Sequence, residues 1–141
     1  MKLFELLTKE DIKLSRLFKY KKEQILFNED DECLYVGIVI KGEIKIASFT
    51  LSGQEIVYNI IKEGQMFGNN LIFSDYPHFR GTVIASSDGE IILFNKENLL
   101  KILQSNLSFL EAYLSLQAEF SKRLNNTIKL SWKSKHPQLF F

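Results

Sequence analysis

Leu34–Tyr35–Val36–Gly37–Ile38–Val39–Ile40–Lys41–Gly42–Glu43–Ile44–Lys45–Ile46 is the stretch on which the fold turns. It opens as a short apolar run rich in β-branched residues, breaks at Lys41–Gly42, and resumes with Ile44 and Ile46 alternating with Glu43 and Lys45. Alternation with a period of two puts one face inside and one outside, which is the signature of a strand. Similar short runs follow one another on both sides: Gln24–Phe27, Leu34–Ile40, Glu43–Phe49, Glu55–Ile61, Gly81–Ala85 and Glu90–Phe94. Gly42, Gly53 and Gly64 fall eleven residues apart, the spacing of successive short strands in an antiparallel sandwich or barrel. Leu51–Ser52–Gly53–Gln54 reads as a hairpin turn. An antiparallel roll between Tyr20 and Phe94 is the expectation.

The rhythm differs at both ends. Phe4–Leu17 is amphipathic, and Thr8 with Asp11 three residues on predicts a helix N-terminus. After Asn95, a candidate cap, Leu99, Leu100, Ile102 and Leu103 predict a short helix. Ser108 is a candidate cap for a long helix running to about Leu130. On it Phe109, Tyr113, Leu116, Phe120, Leu124 and Ile128 make one apolar stripe, and Leu110, Leu114 and Ala118 make a second beside it. Two stripes mean that a second surface needs covering. The preceding strands offer only one roll's worth of surface, which favours a partner chain over burial within the domain. The tail Lys133–Phe141 ends on Leu139–Phe140–Phe141 and looks like the opening of another element.

Bulk properties narrow the function classes. The 141 residues allow one domain, or one with a short appendage. Net charge is +1 and no basic stripe stands out, so direct nucleic-acid binding by this segment is not expected. One cysteine, Cys33, excludes an internal disulfide framework and a multi-cysteine iron–sulfur cluster, and fits a reducing cytoplasm. No apolar run approaches the roughly 18–20 residues of a membrane span, and the first residues lack a signal-peptide pattern.

The ordered motifs carry a resemblance. Leu34–Ile46 resembles the "LYxIxxGxVxV" strand pair of the cyclic-AMP receptor protein/fumarate–nitrate regulator (Crp/Fnr) superfamily of bacterial transcription regulators. Gly64–Gln65–Met66–Phe67–Gly68–Asn69–Asn70–Leu71–Ile72–Phe73 resembles its "G-D-x-F-G-E-x-x-L-F" signature. Thr82–Ile91 looks like the closing strands and Phe120–Leu130 like the end of the dimer helix. The resemblance implies a mainly β fold with helices: a jelly-roll-like double-stranded β-helix of about eight strands, then a long C-terminal dimerisation helix. It implies a sensor domain over residues 1–106, a dimerisation helix over 107–131, and a hinge over 132–141. The family's helix-turn-helix is absent from this sequence, so DNA contact is expected only through a domain this chain does not contain, and the chain looks like a fragment or a sensor-only protein. The implied partners are a second copy and a small effector, with no membrane and no catalytic role.

In relatives that bind cyclic nucleotides, a Glu after "FG" accepts from the ribose 2′-hydroxyl, and about ten residues on an Arg followed by Ser or Thr pairs with the phosphate. Here the Glu position is Asn69. Without a gap, Phe79 falls on the Arg position; with one extra loop residue, Arg80 does, followed by Gly81 and Thr82. The resemblance therefore names Gly68, Asn69, Asn70, Arg80, Gly81 and Thr82 as ligand residues, with Leu124 and Asn125 on the far wall. Tyr113, Leu116, Phe120 and Leu124 are assigned to a dimer seam. Because an amide replaces the carboxylate, weak or absent cyclic-AMP binding is expected, and the effector stays unnamed.

Rival readings are a ligand-free dimerisation module of the same fold and a cupin-like metalloenzyme. The second needs two or three histidines and a glutamate around a metal, whereas the chain has only His78 and His136. A haem sensor would rest on His78 alone, a loop histidine whose ordinary place is in solvent. No metal ligand set is assigned.

Overall fold

In a computed structural model of the chain, residues 3–135 are described. A 3-10 turn, Leu3–Leu6, leads to α1 (Lys9–Lys13), then to strands β1 (Arg16–Tyr20), β2 (Ile25–Phe27), β3 (Tyr35–Lys41), β4 (Ile44–Phe49), β5 (Glu55–Ile61), β6 (Met66–Phe67), β7 (Thr82–Ala85) and β8 (Gly89–Asn95). Two helices follow, α2 (Lys96–Ser105) and α3 (Leu107–Lys135). The strands form two four-stranded sheets, ordered β1-β8-β3-β6 and β2-β7-β4-β5, with every pairing antiparallel. The expected roll is present, and with it the long C-terminal helix.

The two sheets differ in how they are covered. Val36 to Val39 on β3 and Ile91 to Phe94 on β8 are buried without a break. Their side chains share one core with residues of the other sheet, while α2 packs on β3 and β8 and the 3-10 turn on β3. In the second sheet, β5 is exposed from Glu55 to Ile60. The alternation read at Ile44–Ile46 survives only in part, because Ile44 is fully buried, Ile46 is half-buried and Lys45 is half-covered as it pairs with Glu55 at 2.8 Å. The core carries Phe67, Phe94 and Phe109 among its largest fully buried side chains.

Several sequence expectations are adjusted. The roll begins at Arg16 rather than Tyr20: β1 is an edge strand whose Leu17 is 57% exposed, so its pattern is hard to tell from a surface helix. β6 spans two residues and leaves no periodic signal. The hairpin turn at Gly53 is as read, with Gly53 N–H donating to Thr50 O and Thr50 N–H to Gln54 O, each at 2.9 Å. Asn95 caps α2 by accepting from the Asn98 N–H at 2.8 Å.

Asn106, not Ser108, caps α3. Its side-chain oxygen accepts from the Phe109 N–H at 3.0 Å, and its backbone N–H closes α2 on Ile102 O at 2.9 Å. The helix runs past the expected end at residue 131 to Lys135. Residues 132–135 of the expected hinge therefore continue the helix, and its remainder, with His136, lies outside the described residues. No described helix is long and apolar enough to cross a membrane.

Candidate functional site

The Gly64–Phe73 segment passes through β6 into a tight turn. Met66 and Phe67 pair with Ile38 and Gly37, and both are buried. Gly68 follows with φ of 81°, and a Cβ on it would stand 2.8 Å from Tyr35 O and 3.3 Å from Cys33 Sγ. Both the left-handed backbone and the close approach require glycine. The N–H groups of Leu71 and Ile72 donate back to Gly68 O at 3.1 and 3.0 Å, which closes the turn.

The turn is fastened to α3. Asn69 Nδ2 donates to Gln117 Oε1 at 2.7 Å, and the Asn69 carbonyl accepts from the Tyr113 hydroxyl at 3.0 Å. The Phe73 ring meets Tyr113 edge-on, with centroids 6.4 Å apart. Burial, then the nearby Cys33, pushes the Tyr113 phenol up to about 12, so it stays a neutral donor. Tyr113 is 4% exposed within its own chain, where it packs on the roll. Leu116 is likewise half-buried against the core. Phe120 and Leu124, one and two turns further on, are 39% and 50% exposed.

Between this turn, the β4–β5 hairpin and α3 lie two adjoining cavities of about 430 and 390 Å³. They share Ile46, Asn59, Gly68, Asn70, Phe120 and Arg123 as walls, and so form one cleft with two lobes. Of the residues named from the sequence, Gly68, Asn69, Asn70, Arg80 and Leu124 line it. Gly81, Thr82 and Asn125 do not. Gly81 is buried against β4, where a Cβ would stand 2.9 Å from Ile46 Cγ2; Thr82 opens β7; Asn125 points to solvent from α3.

Phe79 and Arg80 both line the second lobe, but they differ in burial: Phe79 is 2% exposed, with its ring stacked on Phe27 at 5.0 Å, whereas Arg80 is exposed. Tyr58, Asn59 and Arg123 also line the cleft and were not found from the sequence. Arg123 had a legible signal, since it immediately precedes Leu124 and lies one turn after Phe120. Tyr58 and Asn59 had none, because a β-bulge decides which way they point.

The other candidates stand apart from the cleft. His78 is half-buried, its Nδ1 2.8 Å from Asp30 O and its ring stacked on Tyr76 at 3.9 Å. Burial pushes the Cys33 thiol up to about 11, which leaves it a protonated packing group behind Gly68. Among the described residues no group of three or more His, Cys, Asp and Glu side chains comes together to hold a metal.

Comparison with known proteins places this geometry. The family model for the cyclic nucleotide-binding domain matches residues 17–106. The anaerobic regulatory protein of Bacillus subtilis is 24% identical over 127 residues, which cover 90% of this chain and 52% of that protein. The chain thus spans about half the length of this curated relative. Among solved structures, a transcriptional regulator from Thermotoga maritima superposes with a TM-score of 0.80 at 23% identity, covering 91% of this chain and 95% of that one. The sensor domain of the transcriptional regulator DNR from Pseudomonas aeruginosa superposes at 0.71 with 27% identity, covering 90% and 85%. The chain belongs to the cyclic nucleotide-binding domain family, in the form carried by Crp/Fnr-type regulators.

Proposed function

We propose that this chain is the effector-sensing and dimerising part of a Crp/Fnr-type transcription regulator. One observation carries the reading: the cleft is walled on one side by the Gly68–Asn70 turn and Arg80, and on the other by α3. Whatever fills it touches the roll and the helix at once, so occupancy can bias how α3 is presented to a partner copy. The roll with its flanking helices, to residue 106, would sense. The helix after it would assemble the homodimer, and a separate helix-turn-helix domain would contact DNA. No step of this scheme is catalytic.

Cyclic AMP is expected to bind weakly or not at all. Asn69 offers the ribose no charge-assisted acceptor, and the loss of such a bond removes roughly 1.5–3 kcal/mol. A ligand-independent dimerisation module has one observation on its side, because the Asn69–Gln117 bond already closes part of the cleft wall.

A thermal-shift screen of the chain against cyclic nucleotides and small metabolites separates the two, since a ligand of the folded state must raise the melting temperature. At least one compound should do so, and the shift should vanish in Arg80→Gln. That side chain is exposed, so its removal leaves the fold intact. A chain that dimerises yet responds to nothing is the ligand-free module.

A further inference from the structure

The cleft also specifies the kind of molecule it takes. Its two lobes are walled by Ile46, Tyr58, Leu71, Phe79, Phe120 and Leu124 among others, and among the described residues the charged ones in either wall are Arg80 and Arg123, with no carboxylate and no lysine. The second lobe, which holds Arg80, is mostly apolar, and a pocket of that kind with guanidinium charges complements an anion carried on an apolar body. The second lobe, at about 390 Å³, falls near the small end of ligand pockets, which run to roughly 300–1,000 Å³.

A second, independent feature shapes the body of that molecule. β4 pairs Ile46 with Asn59 and Ala47 with Val57, which leaves Tyr58 without a ladder partner at a β-bulge. Bulges re-aim side chains, and this one brings both Tyr58 and Asn59 to the second lobe. The Tyr58 side chain is 60% exposed there, an aromatic face that a flat ring can cover. Phe120, on the opposite wall, is 39% exposed.

Among the described residues no wall offers an anionic acceptor for a ribose diol, and Asn69 has its Nδ2 committed to Gln117.

We infer that the cleft takes a small planar aromatic carboxylate, its anionic head on Arg80 and Arg123 and its ring against Tyr58, rather than a nucleoside cyclic phosphate. This rests on reading the cleft as the effector site. The test is calorimetry on the 141-residue chain with indole-3-acetate and phenylacetate, their uncharged amides, hexanoate and cyclic AMP.

The aromatic acids should bind at least tenfold tighter than their amides and than hexanoate. Arg80→Gln and Arg123→Gln should each cost about tenfold or more, and Tyr58→Leu should erase the preference for a ring over hexanoate while sparing the preference for an anion. Melting temperatures of the three variants near wild type confirm that binding, not folding, has changed. Amides binding as well as acids, or acid binding indifferent to both arginines, overturns the inference. Cyclic AMP bound through Arg80 while both aromatic acids fail overturns it too, but leaves the effector reading standing. If no compound binds, the inference falls, and the thermal-shift screen against other metabolites decides the effector reading.

Discussion

Gly68 holds the cleft's geometry at a single position. Its left-handed φ sets the direction of the Asn69–Asn70 turn, and its missing Cβ lets the turn lie against Tyr35 O and Cys33 Sγ. Replacing it by alanine adds a methyl group 2.8 Å from a carbonyl oxygen in a backbone region that L-residues avoid. Gly68→Ala should cost about 2 kcal/mol or more in chemical denaturation. It should also disturb the Asn69 contacts to α3, which NMR shifts of the Gln117 side-chain amide would report. A neutral outcome would mean that the turn tolerates displacement and that the cleft wall is not fixed by it. The buried Cys33 belongs to the same neighbourhood but takes no part in the chemistry, because a thiol raised to about 11 stays protonated.

At the scale of elements, the corner between α2 and α3 depends on the short α1. Thr8 and Asp11 form a reciprocal capping box, with Thr8 N–H donating to Asp11 Oδ2 at 3.0 Å and Asp11 N–H to Thr8 Oγ1 at 3.1 Å. Asn106 Nδ2 reaches across to Asp11 Oδ2 at 2.9 Å and to Leu6 O at 2.8 Å while its oxygen caps α3. One carboxylate therefore ties the N-terminal helix to the start of the long helix. Burial works to raise the Asp11 pKa, but the Thr8 backbone, the Asn106 amide and the Thr8 hydroxyl outweigh it and hold the group below its ordinary 3.8. A lowered folded value means that the stabilisation is complete above 3.8 and is lost as pH falls through the lower folded value. Asp11→Ala should cost about 1–3 kcal/mol at neutral pH. In denaturation series at stepped pH, the gap to wild type should be flat down to about pH 4 and narrow below it. A gap that widens in acid would assign the stability to another group.

At the scale of the molecule, α3 divides into two halves. Phe109, Tyr113 and Leu116 dock it on the roll, whereas Leu114, Phe120, Leu124 and Ile128 are 57%, 39%, 50% and 59% exposed. β5 extends this open surface with Ile56, Val57, Tyr58 and Ile60, each more than 40% exposed. An apolar surface of this kind is what the proposed homodimer would cover. The proposed homodimer should appear in sedimentation as a dimer at tens of micromolar. Phe120→Asp should shift it to monomer, since an unpaired charge in a desolvated seam costs roughly 3 kcal/mol or more. Because Phe120 is already partly exposed in one chain, circular dichroism of the variant should stay folded. A monomeric wild-type protein would remove the assembly from the proposal.

The sequence by itself determined the class and order of the fold. Period-two runs, turn glycines eleven residues apart and a terminal helix with too much apolar surface are local patterns, and local patterns survive without coordinates. The capping box at Thr8 and the hairpin at Gly53 were legible for the same reason. What only the tertiary structure decided depends on contacts between distant segments. Asn106 outranks Ser108 as a cap because it also finds Asp11 and Leu6, about a hundred residues away in sequence. Tyr113 is buried against the roll because its hydroxyl meets Asn69 O on another element. Tyr58 and Asn59 reach the cleft through a bulge that no side-chain pattern announces. Phe79 and Arg80 both border the cleft, but the Phe79 ring is buried in an aromatic stack inside the roll while Arg80 stays exposed. Burying an aromatic ring is favourable and burying an unpaired guanidinium is costly, so packing takes the Phe79 ring inside and leaves Arg80 in solvent.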